Sequence, residues 1–81
     1  MLKNFLLFTT KTCPKCPEVK RFMEETGLEG VFVDASTPEG LDEARKYSVA
    51  QVPTVIFFDE NGKTIGKANN VDEIKEIMNK T

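Results

Sequence analysis

The two cysteines of this chain, Cys13 and Cys16, stand three positions apart in TTKTCPKCPEV, with Pro14 between them and Pro17 directly after. Two thiols at that spacing support three chemistries: half of a metal site, a fixed structural bridge, or a dithiol that makes and breaks a disulfide. A monomeric thiolate-rich zinc or iron site needs more ligands, and the chain has neither a histidine nor a third cysteine. Two chains would have to share the ion or cluster, so a metal- or iron–sulfur-carrying dimer stands as the alternative reading. A structural bridge stabilises little, because closing so short a loop removes little chain entropy. The redox reading leads, and it asks what structure would make one of the thiols reactive.

The elements around the pair answer that. LKNFLLFTT is a short apolar run ended by threonines, which predicts a buried strand over about residues 2–8. After the loop TTKT, Val19, Phe22 and Met23 recur at helical spacing until ETGLEG breaks the pattern, so residues 14–26 read as an amphipathic helix with Pro14 at its first position. VFVD at 31–34 reads as a second strand, and STPEGLDEARKYSV carries Leu41, Ala44 and Tyr47 at helical spacing. VPTVIFFDENGKTIGK reads as two strands joined by DENG, whose Asn61 and Gly62 suit the positive φ of a tight hairpin. NVDEIKEIMNK aligns Val71, Ile74, Ile77 and Met78 on one face, with Asp72 and Glu73 at the start and Lys80 at the end, as a helix dipole favours. The order β-α-β-α-β-β-α predicts an α/β fold with a mixed four-stranded sheet and helices on both faces.

In this frame Cys13 is expected at the helix N-cap and Cys16 one turn inside, at the third helical position. Unpaired backbone N–H groups and the positive end of the dipole favour the thiolate of Cys13, the form that acts as nucleophile. Lys11, Lys15 and Lys20 add positive charge nearby or simply belong to the solvated surface. Cys16, further in and beside Pro17, is the recessed sulfur and the resolving thiol. Cys13 would attack a substrate disulfide, and Cys16 would release the mixed disulfide by closing the Cys13–Cys16 bond, with no metal or organic cofactor.

Composition bounds the setting. Eighty-one residues make one domain, 1–81, and 40% apolar and 30% charged residues with a net charge of −2 describe an ordinary soluble globular protein. That charge gives no reason to expect nucleic acid or an anionic membrane as a partner. FLLF is far too short to span a bilayer, and the N-terminal stretch lacks both the apolar length and the cleavage site of a secretory leader. The expectation is a cytoplasmic monomer, where closely spaced cysteines serve catalysis or metal binding more than structure.

A second motif lies forty residues on. Pro53, in AQVPT, precedes the third strand, where a proline marks a strand start or a special bend. Two readings stay open: a loop proline, or a cis Val52–Pro53 bond that leaves the Val52 backbone free to pair with an extended substrate segment.

Taken together, C-P-x-C at the first helix start and V-P-T before the third strand resemble the thioredoxin superfamily, specifically its small glutaredoxin-like dithiol redoxins, over the whole chain. The resemblance implies that Cys13 is the attacking and Cys16 the resolving cysteine of a redox-active disulfide. It implies further that Pro53 is cis and Val52 the backbone substrate contact, with Thr12 and Thr54 as flanking substrate-binding candidates. Departures narrow it. Thioredoxins typically show W-C-G-P-C and a buried aspartate in the first strand, whereas this chain has no tryptophan and Leu7 at that place, so Cys16 lacks that proton-transfer helper. Dithiol glutaredoxins typically show C-P-Y-C and a later Gly-Gly turn followed by Asp-Asp that holds glutathione; here Lys15 replaces the tyrosine, and IGKANNVDE offers Gly66–Lys67 and Asn69–Asn70 instead. The expected function is a thiol–disulfide oxidoreductase in electron transport and cell redox homeostasis. It would reduce disulfide-containing proteins and be recharged by a flavin-dependent reductase or a low-molecular-weight thiol.

Overall fold

Phe5 to Phe8 form the centre of the molecule because they are apolar on both faces. The computed structural model describes residues 3–80, and of Lys80 the backbone alone. Its elements are β1 (Asn4–Thr9), α1 (Cys16–Glu25), β2 (Glu29–Asp34), α2 (Pro38–Lys46), β3 (Thr54–Phe58), β4 (Thr64–Ala68) and α3 (Val71–Lys80). The four strands form one sheet in the order β2-β1-β3-β4, with β1 parallel to β2 and antiparallel to β3, and β3 antiparallel to β4. This is the mixed sheet expected from the element order.

Alternation along β1 and β3 builds two cores. Phe5 and Leu7 of β1 join Val55 and Phe57 of β3 on one face, packed by Val19 and Met23 of α1 and Ile74 of α3. Phe8 and Ile56 point to the other face, against Ala44 of α2 and the partly buried Tyr47, Val49 and Val52. Each such large side chain, when fully buried, contributes roughly 1.5–3 kcal/mol relative to exposure. Helices therefore cover both faces, with α1 and α3 together and α2 opposite.

Several boundaries differ from expectation, each for a local reason. Helix α1 begins at Cys16, not Pro14, with Lys15 as its N-cap and Val19 N–H donating to Lys15 O at 3.3 Å. Pro17 has no N–H, so the bond to the Cys13 carbonyl that would start the helix at Pro14 cannot form. Strand β2 starts at Glu29, two residues earlier than its apolar run, because it is an edge strand pairing Asn4 with Glu29 and Phe5 with Gly30. Such a strand needs no apolar signal there, and even Val31 and Phe32 are exposed. Strand β1 begins at Asn4 and runs to Thr9, one residue beyond expectation; the expected start at residue 2 lies outside the described residues. In the β3–β4 turn only Gly62 has positive φ, at 80°; Asn61 does not. Asp59 organises that turn instead, its carboxylate accepting from the Asn61 and Lys63 N–H groups at 2.9 Å each.

Helix α2 is delimited by side-chain and backbone caps. The Thr37 hydroxyl accepts from Gly40 N–H at 3.0 Å and donates to Asp34 O at 2.9 Å, with Pro38 at the first helical position. Gly40 permits this approach, since a Cβ there would collide with the Asp34 carbonyl. At the other end Ser48 takes φ 59°, its N–H donating to Arg45 O and that of Val49 to Ala44 O, a left-handed cap made without glycine. This cap turns the chain toward Val52 and Pro53.

Candidate active site

Strand β1 delivers the chain to the loop that holds the cysteines. After Thr9 the backbone turns, Cys13 N–H donating to Thr10 O at 3.4 Å, and α1 then starts at Cys16. Cys13 and Cys16 form a disulfide with a Cα–Cα distance of 5.4 Å, within the ordinary span for such a bridge. Cys16 is 5% exposed and Cys13 half-buried. Cys13 thus sits three residues before the helix rather than at its N-cap, and Cys16 at its first position rather than its third. The correction follows from Pro17, which moves the cap to Lys15.

A cavity of about 300 Å³ opens beside the disulfide, lined by both cysteines together with Thr10, Lys11, Pro17 and Lys20. Lys15, the other lysine of the cysteine loop, is exposed and does not line it. The Lys20 ammonium lies 5.2 Å from the Phe32 ring centroid, a cation–π contact that steadies it. Asp34 is held below the usual carboxylate range, chiefly by the Ser36 hydroxyl and N–H that donate to it, with a smaller contribution from the Lys11 charge. The cavity lining itself is positive in a chain of net charge −2.

Thr10 also lines a second, mostly apolar groove of about 210 Å³, whose other walls include Leu41 and Ala44 of α2 and the Val49–Val52 segment. The sheet explains this neighbourhood. Phe8 pairs with Thr54 across the antiparallel β1–β3 ladder, so continuing both chains brings Thr10 alongside Val52. The Val52–Pro53 peptide bond is cis and Pro53 is buried. Among the described residues, the Val52 backbone N–H and C=O make no hydrogen bond.

The two threonines have different surroundings. Thr12 is exposed on the cysteine loop. Thr54 is 1% exposed, its hydroxyl donating to Gln51 O at 2.6 Å and accepting from Asn69 Nδ2 at 2.8 Å. A side chain so placed holds the Gln51–Pro53 turn rather than reaching into solvent. Leu7 is fully buried on the same face of the sheet as Val19 and Met23. The sequence reading did not single out Thr10 as the shared wall of two cavities or Asn69 as a partner of the proline turn.

A sequence model of the thioredoxin domain family matches residues 3–79. The chain belongs to the thioredoxin family. Among curated thioredoxin-family relatives, a "Probable Thioredoxin" of Archaeoglobus fulgidus is 36% identical over 58 residues, covering 67% of this chain and 64% of that protein. The match therefore spans slightly less than two thirds of the archaeal protein's length. An "N-acetyl-S-hydroxy-L-cysteine reductase" of Bacillus subtilis is 33% identical over 76 residues, covering 91% of this chain and 73% of that protein. Among solved structures, thioredoxin O2 of Arabidopsis thaliana in its oxidized state superposes with a TM-score of 0.83 at 23% identity, covering 98% of this chain and 74% of that one. That likeness shows the thioredoxin fold. Within it, the Cys13–Cys16 pair is suited to thiol–disulfide oxidoreductase chemistry: two thiols three residues apart, closed across an ordinary Cα–Cα span of 5.4 Å, that can carry two electrons. No helix among the described residues is long and apolar enough to cross a membrane.

Proposed function

We propose that this thioredoxin-family protein is a thiol–disulfide oxidoreductase that reduces protein disulfides as a small cytoplasmic electron carrier. The observation that carries the reading is the Cys-x-x-Cys disulfide at the β1–α1 junction, with Cys13 half-buried and Cys16 buried. In the reduced protein the Cys13 thiolate attacks one sulfur of the substrate disulfide and the S–S bond breaks. Cys13 is then joined to the attacked sulfur in a mixed disulfide, while the other substrate sulfur takes up a proton and leaves as a thiol. Cys16, losing its proton, then attacks the Cys13 sulfur, the second substrate thiol departs, and the Cys13–Cys16 bond is restored. Two electrons pass from protein to substrate.

Lys11, Lys20 and the N-terminal end of α1 favour the thiolate of Cys13 electrostatically. Val52 offers its unpaired backbone N–H and C=O to an extended substrate segment, with Pro53 setting their direction and Thr12, exposed on the cysteine loop, free to meet the same segment. Thr54 supports this turn from beneath. The protein acts as a monomer, recharged by a flavin-dependent disulfide reductase or a low-molecular-weight thiol. With dithiothreitol as donor, the wild-type protein should accelerate reduction of insulin disulfides, and Cys13→Ser should abolish the acceleration. Equal rates for the two proteins would sink the reading.

A second substrate is favoured by the lysine-lined cavity and by the name of the Bacillus relative. A small cysteine sulfenate carrying a carboxylate fits beside Lys11 and Lys20. Cys13 would attack its sulfur and release water, and Cys16 would then free the thiol, again with two electrons transferred. Charge reversal of both lysines should slow this reaction at least about tenfold more than reduction of a neutral small disulfide, which loses only the support for the Cys13 thiolate; equal effects on both would argue against it.

A further inference from the structure

The segment ANNVDE, which stands where dithiol glutaredoxins carry their glutathione-binding turn, makes a chain of hydrogen bonds that ends at the proline turn. Asn69 follows the last residue of β4. Its Nδ2 donates to Thr54 Oγ1 at 2.8 Å and to Pro53 O at 3.2 Å. Thr54 in turn donates to Gln51 O at 2.6 Å, so both ends of the turn, Gln51 and Pro53, are tied to one amide.

Asn69 is itself fixed from the other side. Its backbone N–H donates to Glu73 Oε1 at 2.6 Å, and Asn70 Oδ1 accepts from Glu73 N–H at 2.9 Å, closing the first turn of α3. Glu73 and Asn70 are spaced three apart, as in a capping box, but the glutamate reaches one residue further back. The register completes the arrangement. Val55 pairs with Ala68, which places Asn69 opposite Thr54. The buried Thr54 hydroxyl and the Pro53 carbonyl would otherwise lack these donors, a costly condition for groups out of water.

From this geometry we infer that Asn69 is a positioning residue for substrate binding: its side-chain amide locks the Gln51–Thr54 turn so that the Val52 backbone is presented beside the disulfide. The inference rests on the reading of Val52 as a substrate contact. Asn69 touches neither sulfur, so its effect is confined to substrates long enough to pair with Val52. An extended polypeptide loses an aligned pair of backbone hydrogen bonds when the turn relaxes. A small disulfide that needs only the thiols does not.

The test compares wild type, Asn69→Asp and Asn69→Ala on insulin and on a small neutral aromatic disulfide, with the reduction potential and thermal midpoint measured for each. Aspartate keeps the shape but removes both donors. Expected is a loss of about tenfold in kcat/KM for insulin, carried mainly by KM, with the small-disulfide rate and the potential within about twofold of wild type. Asn69→Gln should recover part of the loss. Equal losses on both substrates, or an unchanged insulin rate in a folded Asn69→Asp protein, would overturn the inference. Failure of the wild type itself to reduce insulin would instead refute the function on which it rests.

Discussion

Cys13 and Cys16 share one disulfide but not one environment: Cys16 is 5% exposed at the start of α1, while Cys13 is half-buried in the loop before it. The asymmetry originates in the fold. Cys16 belongs to the buried set of its helix together with Val19 and Met23, whereas Cys13 precedes the helix altogether. In the reduced protein this difference should appear directly as reactivity. Brief exposure to iodoacetamide at neutral pH should label Cys13 at least about ten times faster than Cys16, read by peptide mass. Equal labelling would contradict the division of roles.

Pro17 sets how far the helix reaches toward Cys13. Replacing it with alanine restores an N–H able to bond the Cys13 carbonyl, which would move the cap from Lys15 toward Cys13. The N-terminal end of the dipole then acts more strongly on the Cys13 sulfur. Pro17→Ala is expected to lower the Cys13 thiol pKa, followed by ultraviolet thiolate absorbance, and to raise the reduction potential, because the reduced form is stabilised. If neither moves, the proline is only a tolerated first-turn residue.

Ser48 closes α2 at φ 59°, a conformation that costs a residue bearing a Cβ but not glycine. Ser48→Gly should stabilise the protein by about 0.5–1 kcal/mol, after allowing for the greater freedom of glycine in the unfolded chain. The urea midpoint should rise with an unchanged slope. A lower midpoint would show that the serine side chain contributes something at this cap that the backbone conformation does not explain.

Acid should weaken two turns together. Asp59 is held below the usual carboxylate range first by the Lys63 N–H and then by that of Asn61, and Asp34 by Ser36. A carboxyl with a depressed folded pKa contributes stability that is fully present above its ordinary value, about 3.9, and is lost as pH falls through the folded one. Asp59→Ala should therefore unfold at lower urea concentration than wild type at neutral pH, with the gap closing below about pH 4. A gap that persists undiminished at about pH 2 would assign the effect to something other than the charged carboxylate.

How far the sequence reaches can be judged at these same residues. The strands were legible as short apolar runs ended by turn residues, FLLF and VIFF among them, and the last helix by the stripe of Val71, Ile74, Ile77 and Met78; which residues of the strands face which core was not. The cis Val52–Pro53 bond was reached through resemblance, since nothing local in AQVPT distinguishes it from a loop proline. The start of α1 was missed although its cause, Pro17, was in plain view. Its effect on the cap had to be weighed against Pro14, which fits a first helical position equally well.

Asn69 was illegible for a different reason. A hairpin counted outward from the Phe58–Thr64 pair would set Ala68 opposite Thr54. An irregularity between Phe57 and Phe58 shifts the β3–β4 register by one, pairing Val55 with Ala68 and bringing Asn69 to Thr54. A bulge of one residue leaves no mark in composition or periodicity, yet it decides which side chain meets the proline turn. Thr10 lies in a loop, as TTKT predicts, but its place between the disulfide cavity and the Val52 groove depends on the β1–β3 register and leaves no mark in the sequence.

In the proposed cycle Cys13 attacks and Cys16 resolves, and trapping the mixed disulfide is the sharpest test of that order. Reduced Cys16→Ser, mixed with a disulfide-containing protein, should accumulate a covalent adduct through Cys13 that dithiothreitol releases, whereas Cys13→Ser should form none at a comparable rate. An adduct forming through Cys16 in the Cys13→Ser protein as fast as through Cys13 in the other, or no adduct in either while the wild type turns over, would contradict it.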